Sequence, residues 1–188
     1  MRPLIFFMHA SLDGFACGPN GEMNWIQIND EIFDFVATIT AKADTALYGR
    51  VTYGMMESYW PTAADKPNAT KHDREHARWY KNVDKIVLST TLPEEVKANV
   101  TVIRDRLKEQ IAAHKNREGK NILIFGSPRA SHALLAEGLI DEFWIFLNPV
   151  LIGQGIPLFK NIHEITKLTL LETKVFSGGV IALHYAKQ

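Results

Sequence analysis

Hydrophobic residues along the chain come in short runs and in helical spacings that alternate. Leu4 to Ala10 is an apolar run with two adjacent phenylalanines that ends at the turn pair Asp13-Gly14, the pattern of a strand. Gly18-Pro19-Asn20-Gly21 predicts a loop. From Asn29 onward Ile32, Phe35, Val36 and Ile39 recur at helical spacing, with Asn29 placed as an N-cap and Asp30 and Glu31 in the first turn, where acids suit the helix dipole. Thr45–Gly49 predicts a second strand and Val51–Trp60 a second helix, followed by a surface loop over Pro61–Lys71. Lys85–Ser89 and Asn121–Gly126 are continuous apolar runs of the kind covered on both faces, and an amphipathic helix, Arg104–Arg117, precedes the second. Ser131–Leu139 predicts a further helix. Glu142–Leu147, Leu168–Phe176 and Val180–Ala186 then read as strands with little helix between them. An α/β front half running into a strand-rich end predicts one domain over residues 1–188, with a mixed, mainly parallel central sheet, flanking helices and antiparallel C-terminal strands.

In open α/β sheets, ligands bind beyond the carboxyl ends of strands, where backbone N–H groups and helix starts point into a crevice. Three strand ends here carry groups suited to anions: Gly49-Arg50-Val51-Thr52, Ser89-Thr90-Thr91, and Gly126-Ser127-Pro128-Arg129-Ala130-Ser131. Each alone has a plainer reading as a turn or a cap, but their recurrence at successive strand ends points to phosphate. Neither a G-x-G-x-x-G fingerprint nor a P-loop stands in the sequence to account for them.

Composition changes this picture only at the margins. Among 188 residues, 21 Lys and Arg balance 21 Asp and Glu, so no bulk excess of positive charge points to nucleic acid. The single cysteine, Cys17, cannot form an internal disulfide or a Cys-Cys zinc pair, which predicts a reducing, cytoplasmic setting and no metal. No stretch reads as a signal peptide or a membrane span. His72 and His76, with Asp73 and Glu75 between them, mimic a metal face, but the charged segment Lys71–Lys81 reads instead as a surface helix with a solvated face. His9 reads as a core histidine.

The succession Ser11-Leu12-Asp13-Gly14, Trp25, Leu47–Gly54, Lys85–Thr91 and Ile122–Gly155 resembles the dihydrofolate reductase superfamily. More closely, it is similar to the reductase domain of bifunctional riboflavin biosynthesis proteins and their stand-alone relatives. The most specific block runs from Gly126 through Gly138-Leu139-Ile140-Asp141-Glu142 to Pro149–Gly155. The resemblance implies a dihydrofolate reductase-like three-layer α/β/α fold and an NADPH-dependent reductase acting on a small, flat, pterin- or pyrimidine-like substrate. It would place the backbone of Ala10 at the nicotinamide carboxamide, and Gly49, Arg50, Val51 and Thr52 at the phosphates. Ser89 and Thr90 would lie near the adenosine 2′-phosphate, and the turn Gly126, Ser127, Pro128, Arg129, Ala130 and Ser131 would cradle the pyrophosphate. Met23 and Trp25 would border the substrate, and Asn148 would offer it a second polar contact.

Asp30 takes the place of the acid that binds and helps protonate a pterin ring; its other reading is a helix-terminus acid. Two departures stand out: the proline-containing turn before that helix is missing, and Phe125 occupies a position where the riboflavin-pathway reductases carry glutamate. The His-x-Glu and Pro-Cys-x-x-Cys pattern of a zinc deaminase is absent. The strand-rich C-terminus resembles the region through which related reductases pair, which implies a homodimer, and the apolar residues on both faces of Glu142–Leu147, including Trp144 and Phe146, agree with it. Alternatives of other classes are a protein that binds NADP(H) without turnover and a purely structural dimer.

Overall fold

A computed structural model describes residues 1–93, 97–160, 162 and 164–188. In chain order the elements are β1 (Leu4–Ser11), β2 (Phe15–Cys17), α1 (Asp30–Thr40), β3 (Ala43–Gly49), α2 (Arg50–Ala63) and α3 (Lys71–Asn82). These are followed by β4 (Asp84–Leu88), β5 (Val100–Ile103), α4 (Leu107–Lys115), β6 (Asn121–Phe125) and α5 (Pro128–Ala136). The strands β7 (Glu142–Asn148), β8 (Ile156–Pro157), β9 (Leu168–Val175) and β10 (Ile181–Lys187) complete the chain. The result is an α/β fold, mainly parallel, with antiparallel C-terminal strands. The chain divides into two compact units: Met1–Arg2 with Asn29–Leu123, and Pro3–Ile28 with Ile124–Gln188.

In the first unit β3, β4 and β5 run parallel, in a register that sets Gly49 opposite Leu88 and Leu88 opposite Ile103. Helix α1 forms as its sequence directs. The Asn29 side chain accepts the Ile32 N–H at 2.9 Å, and Ile32, Val36 and Ile39 are buried along one stripe. The predicted loop Pro61–Lys71 is shorter than expected. Pro61 lies in the last turn of α2, where it removes a single helix bond, that to the Glu57 carbonyl, and the turn around it ends at buried Ala63. Lys71 already belongs to α3, which Thr70 and Asp73 open as a reciprocal capping box.

Helix α3 has the solvated face expected of it, but its two histidines do not lie on that face. Lys71, Arg74, Glu75 and Arg78 are exposed, but Ala77 and Tyr80 are buried, and His72 stacks on Phe33 at 3.5 Å. His76 lies 4.1 Å from the Trp60 ring. Aromatic packing, invisible in a charge count, outweighs the polar composition. The start of the chain is tied into this unit by Arg2, whose buried guanidinium bonds Asp44, Thr45 Oγ1 (2.6 Å) and the Lys120 carbonyl (2.5 Å).

In the second unit β1 pairs parallel with β7, β7 antiparallel with β10, and β10 antiparallel with β9. β1 is buried along nearly its whole length, as its unbroken apolar run requires. Phe6, Phe143 and Phe159 cluster on one face of these strands, and Phe7, Phe125 and Phe146 form a second cluster. Two-residue β8 and three-residue β2 make a small ribbon that the sequence pattern did not reveal. Gly155 permits it, because a Cβ there would meet the Cys17 carbonyl oxygen at 2.2 Å. Helix α5 stops at Ala136, short of the predicted Leu139, because the Leu139 N–H turns back to the Leu134 carbonyl at 3.0 Å. Trp144 and Phe146, offered by the sequence in support of a homodimer, are buried within the chain. All eight residues of β9 are exposed instead.

Two outcomes follow for stability. Arg2→Ala leaves Asp44 and the Lys120 carbonyl without their cation and is expected to cost about 2 kcal/mol in urea unfolding, less than a fully buried pair because Asp44 is partly exposed. An unchanged urea midpoint would show that this network holds nothing. Burial pushes the His9 imidazole down to about 4 and His76 to about 3. Below the ordinary value of 6.5 the unfolded chain takes up protons that the folded chain refuses, so stability is present at neutral pH and lost as pH falls toward 4. Melting temperature is expected to drop by several degrees between pH 7 and pH 5, with His76→Phe flattening the slope.

Candidate cofactor-binding groups

Each unit carries its own part of the predicted site. In the first, the parallel register of β3 and β4 brings the start of α2 beside the turn after Leu88. Gly49 occupies the N-cap of α2 in extended conformation, φ −81° and ψ 160°, and has no side chain to cap the first turn. Arg50 and Val51 are exposed, and Thr52 is half-buried. Farther along α2 lies a polar cluster that is only partly buried, with Lys97 exposed. The Tyr80 hydroxyl donates to Glu57 at 2.6 Å, Lys97 pairs with the same carboxylate, and Lys85 sits 4.4 Å over the Tyr80 ring. Hydrogen bonds from Lys97 and Tyr80 hold the Glu57 carboxyl below its ordinary range, although its burial works against them. The cluster ties α2 to α3 and β4 and so sets where the first turn of α2 points.

The turn after β4 is more specific than its sequence suggested. Ser89 Oγ accepts the N–H groups of Thr91 (3.2 Å) and Leu92 (2.9 Å), so what the hydroxyl has left to offer is its hydrogen. Thr90 is exposed. Arg104, which the sequence reading assigned only to the start of a helix, donates to the carbonyls of Thr90 (3.2 Å) and Leu92. It follows directly on β5, a four-residue strand too short to register in the pattern, and it sets a guanidinium against the serine-threonine turn. The signal available was a basic residue after Val100–Ile103, an alternating β-branched run.

Asp30 is exposed in the first turn of α1, beside the N-cap Asn29. Its electrostatic neighbours are Lys71 and His72 at the start of α3. This is the geometry of a helix-terminus acid.

In the second unit the turn after β6 has an unusual backbone. Gly126 (φ 53°) and Ser127 (φ 58°, ψ 62°) are both left-handed, and Pro128 then opens α5. For serine that conformation costs on the order of 1–2 kcal/mol, a strain found where backbone N–H groups are being aimed. The Gly126 N–H is held by the Phe7 carbonyl at 3.2 Å, and the buried Ser131 hydroxyl donates back to the Gly126 carbonyl at 3.3 Å. Arg129 is exposed and Ala130 buried. Phe125, at the departure from the family glutamate, packs 5.3 Å from Phe7 as part of the aromatic core.

The other predicted residues of this unit converge on Asn148, which is fully buried at the end of β7. Its amide nitrogen donates to the carbonyls of Phe146 (3.0 Å) and Ala10 (3.3 Å), and its oxygen accepts the Gln27 N–H at 2.9 Å. Asn148 and Ala10 are thus brought together, but the amide is spent on tying the loop of residues 18–28 to two strand ends. Met23 is exposed in that loop, and Trp25 donates its indole N–H to the Glu22 carbonyl at 3.2 Å. Asp13 makes a second tie by accepting the N–H groups of Ile152 (3.1 Å) and Gly153 (2.8 Å). Bonds from the Ser11 hydroxyl and these amides hold its carboxyl below the ordinary range.

Among the described residues no group of three His, Cys, Asp or Glu side chains could hold a metal ion. No described helix is long and apolar enough to cross a membrane.

Comparison with known proteins bears on the family and the fold. The family model of the RibD C-terminal domain matches residues 2–182. The Bacillus subtilis (strain 168) protein YyaP, itself uncharacterized, is 31% identical over 188 residues, covering 98% of this chain and 94% of its own. A Shewanella sp. PV-4 protein described as belonging to riboflavin biosynthesis shares the fold with a TM-score of 0.74 at 22% identity, over 99% of both chains. A dihydrofolate reductase from Enterococcus faecalis, solved with NADP(H), superposes with a TM-score of 0.64 at 15% identity, over 99% of this chain and 96% of its own. By a family match that spans nearly its whole length, on a dihydrofolate reductase-like fold, this chain belongs to the RibD C-terminal domain family.

Proposed function

We propose that the protein is a reductase that uses NADPH to transfer hydride to a C=N or C=O group of a small, flat heterocycle of the pterin or pyrimidine class. The observation that carries the reading is the pair of left-handed residues Gly126 and Ser127 directly before α5, a backbone shaped to turn N–H groups toward an anion. The groups present fit this cofactor. The turn Gly126 to Ser131 would hold the pyrophosphate at the start of α5 through the N–H groups of Arg129 and Ala130, since Pro128 has none and those of Gly126 and Ser131 bond the Phe7 and Ser127 carbonyls, and Gly49 to Thr52 would add a helix start and the Arg50 guanidinium. Ser89 and Thr90, with Arg104 behind them, offer hydroxyl hydrogens and positive charge to a 2′-phosphate, a chemistry that favours NADPH over NADH. The backbone of Ala10 would meet the carboxamide.

When bound, the cofactor supplies the hydride; this chain's residues bind, orient and exclude water. Met23 and Trp25 would border the substrate, with Asn148 shaping the loop that carries them rather than touching it. Asp30, exposed, would deliver a proton through water. That same exposure favours a second reading, a protein that binds NADP(H) without turnover. The setting proposed is cytoplasmic, consistent with the lone Cys17.

Titrating intrinsic tryptophan fluorescence with NADPH and NADH tests the cofactor, and a pterin and pyrimidine panel tests turnover. NADPH is expected to bind more tightly than NADH, and Arg50→Ala to weaken it about tenfold. No binding of either nucleotide would end both readings. If turnover is found and Asp30→Asn leaves its rate and pH profile unchanged, Asp30 is a helix-terminus acid only.

A homodimer is proposed on the exposed β9, where Leu168, Leu170, Leu171 and Val175 leave apolar surface along a strand that pairs with β10 alone among the described residues. Sedimentation is expected to show a dimer that Leu170→Lys converts to monomer; a monomeric native chain would refute it.

A further inference from the structure

Helices α1 and α3 of the first unit line a half-open groove of about 310 Å³ that contains none of the proposed cofactor groups. Its volume lies at the lower end of small-ligand pockets. Its origin is in the sequence. Ala37 of α1 and its C-cap residue Ala41 line the groove opposite Glu75, His76 and Trp79 of α3 with side chains too small to fill the space between.

The walls are fixed before any ligand arrives. The Lys71–Asp34 ion pair (2.9 Å) and the parallel stack of His72 on Phe33 (3.5 Å, 8°) join the two helices. His76 is held between Trp60 (4.1 Å) and Trp79 (5.1 Å), and the Trp79 indole N–H donates to the Ala43 carbonyl at 3.3 Å, which locks the ring. A preorganised pocket binds without spending affinity on ordering its side chains.

The lining dictates the ligand. An indole face, two imidazoles and alanine and valine side chains make slots for a flat ring. Burial keeps both histidines uncharged at neutral pH. The charge in the lining is therefore the carboxylate of exposed Glu75, while Lys71 nearby is engaged by Asp34. An aromatic ring with a cationic arm of two or three bonds matches all three properties: size, flatness and sign.

We propose that the cleft between α1 and α3 is a binding site for a small arylalkylamine, its ring between Ala37 and Trp79 and its ammonium group on Glu75.

The test is ¹H–¹⁵N NMR titration of the full chain with tryptamine, indole and indole-3-propionate. Tryptamine is expected to bind with a dissociation constant below about 1 mM, shifting Val36, Ala37, Ala41 and the Trp79 indole signal. Indole-3-propionate should bind at least about tenfold more weakly, since its carboxylate meets Glu75. Glu75→Gln, a surface change that leaves the helices intact, should weaken tryptamine about threefold to tenfold without affecting indole. Ala37→Phe should fill the space and abolish both. Shifts confined to Gly49–Thr52 or Gly126–Ser131, equal binding of the two charged probes, or no shift at millimolar tryptamine would each overturn the proposal. The outcome does not depend on whether the protein binds NADPH.

Discussion

Parallel pairing is the constraint on which the architecture of both units depends. A parallel strand cannot return by a hairpin, so the chain must leave at the carboxyl end, cross over and begin again at the other edge. In the first unit this places the start of α2 and the serine-threonine turn side by side, because Gly49 and Leu88 are in register. In the second, Ser11 and Asn148 end adjacent strands in register. Polar, conformationally special residues gather at such ends because backbone groups there have no ladder partner.

What lies under each strand end differs in kind. The first unit supports the start of α2 with a charge cluster in which Glu57, Tyr80, Lys85 and Lys97 satisfy one another. Because Lys97 is exposed, its pair with Glu57 adds little stability, and the cluster acts mainly on geometry. The second unit uses neutral bonds: one buried amide, Asn148, closes three backbone groups and thereby holds a loop with little regular structure of its own.

Much of the fold was legible because its signals are local. The α1 cap at Asn29, the apolar runs of β1, β4 and β6, and the capping and turn residues are written in adjacent positions, and local hydrogen bonds realise them directly. The short strands β2, β5 and β8 were not legible, since two to four residues carry too little periodicity and their pairing is made with distant partners. Arg104 was missed for the same reason, because its meaning depends on β5 ending beside the Thr90 turn.

The amino-acid sequence by itself determined the class of fold, the family to which the chain belongs and the residue types waiting at each strand end. These are carried by local periodicity and by motifs whose spacing survives without coordinates. Tertiary structure alone decided how those residues are spent. It turned Asn148 from a candidate ligand contact into an internal tie, exposed Asp30, and buried Trp144 while leaving β9 bare. It also made a histidine-tryptophan wall out of a helix that reads as charged. Burial and hydrogen-bond partnership are properties of neighbours far apart in the chain, and no local pattern encodes which neighbour arrives.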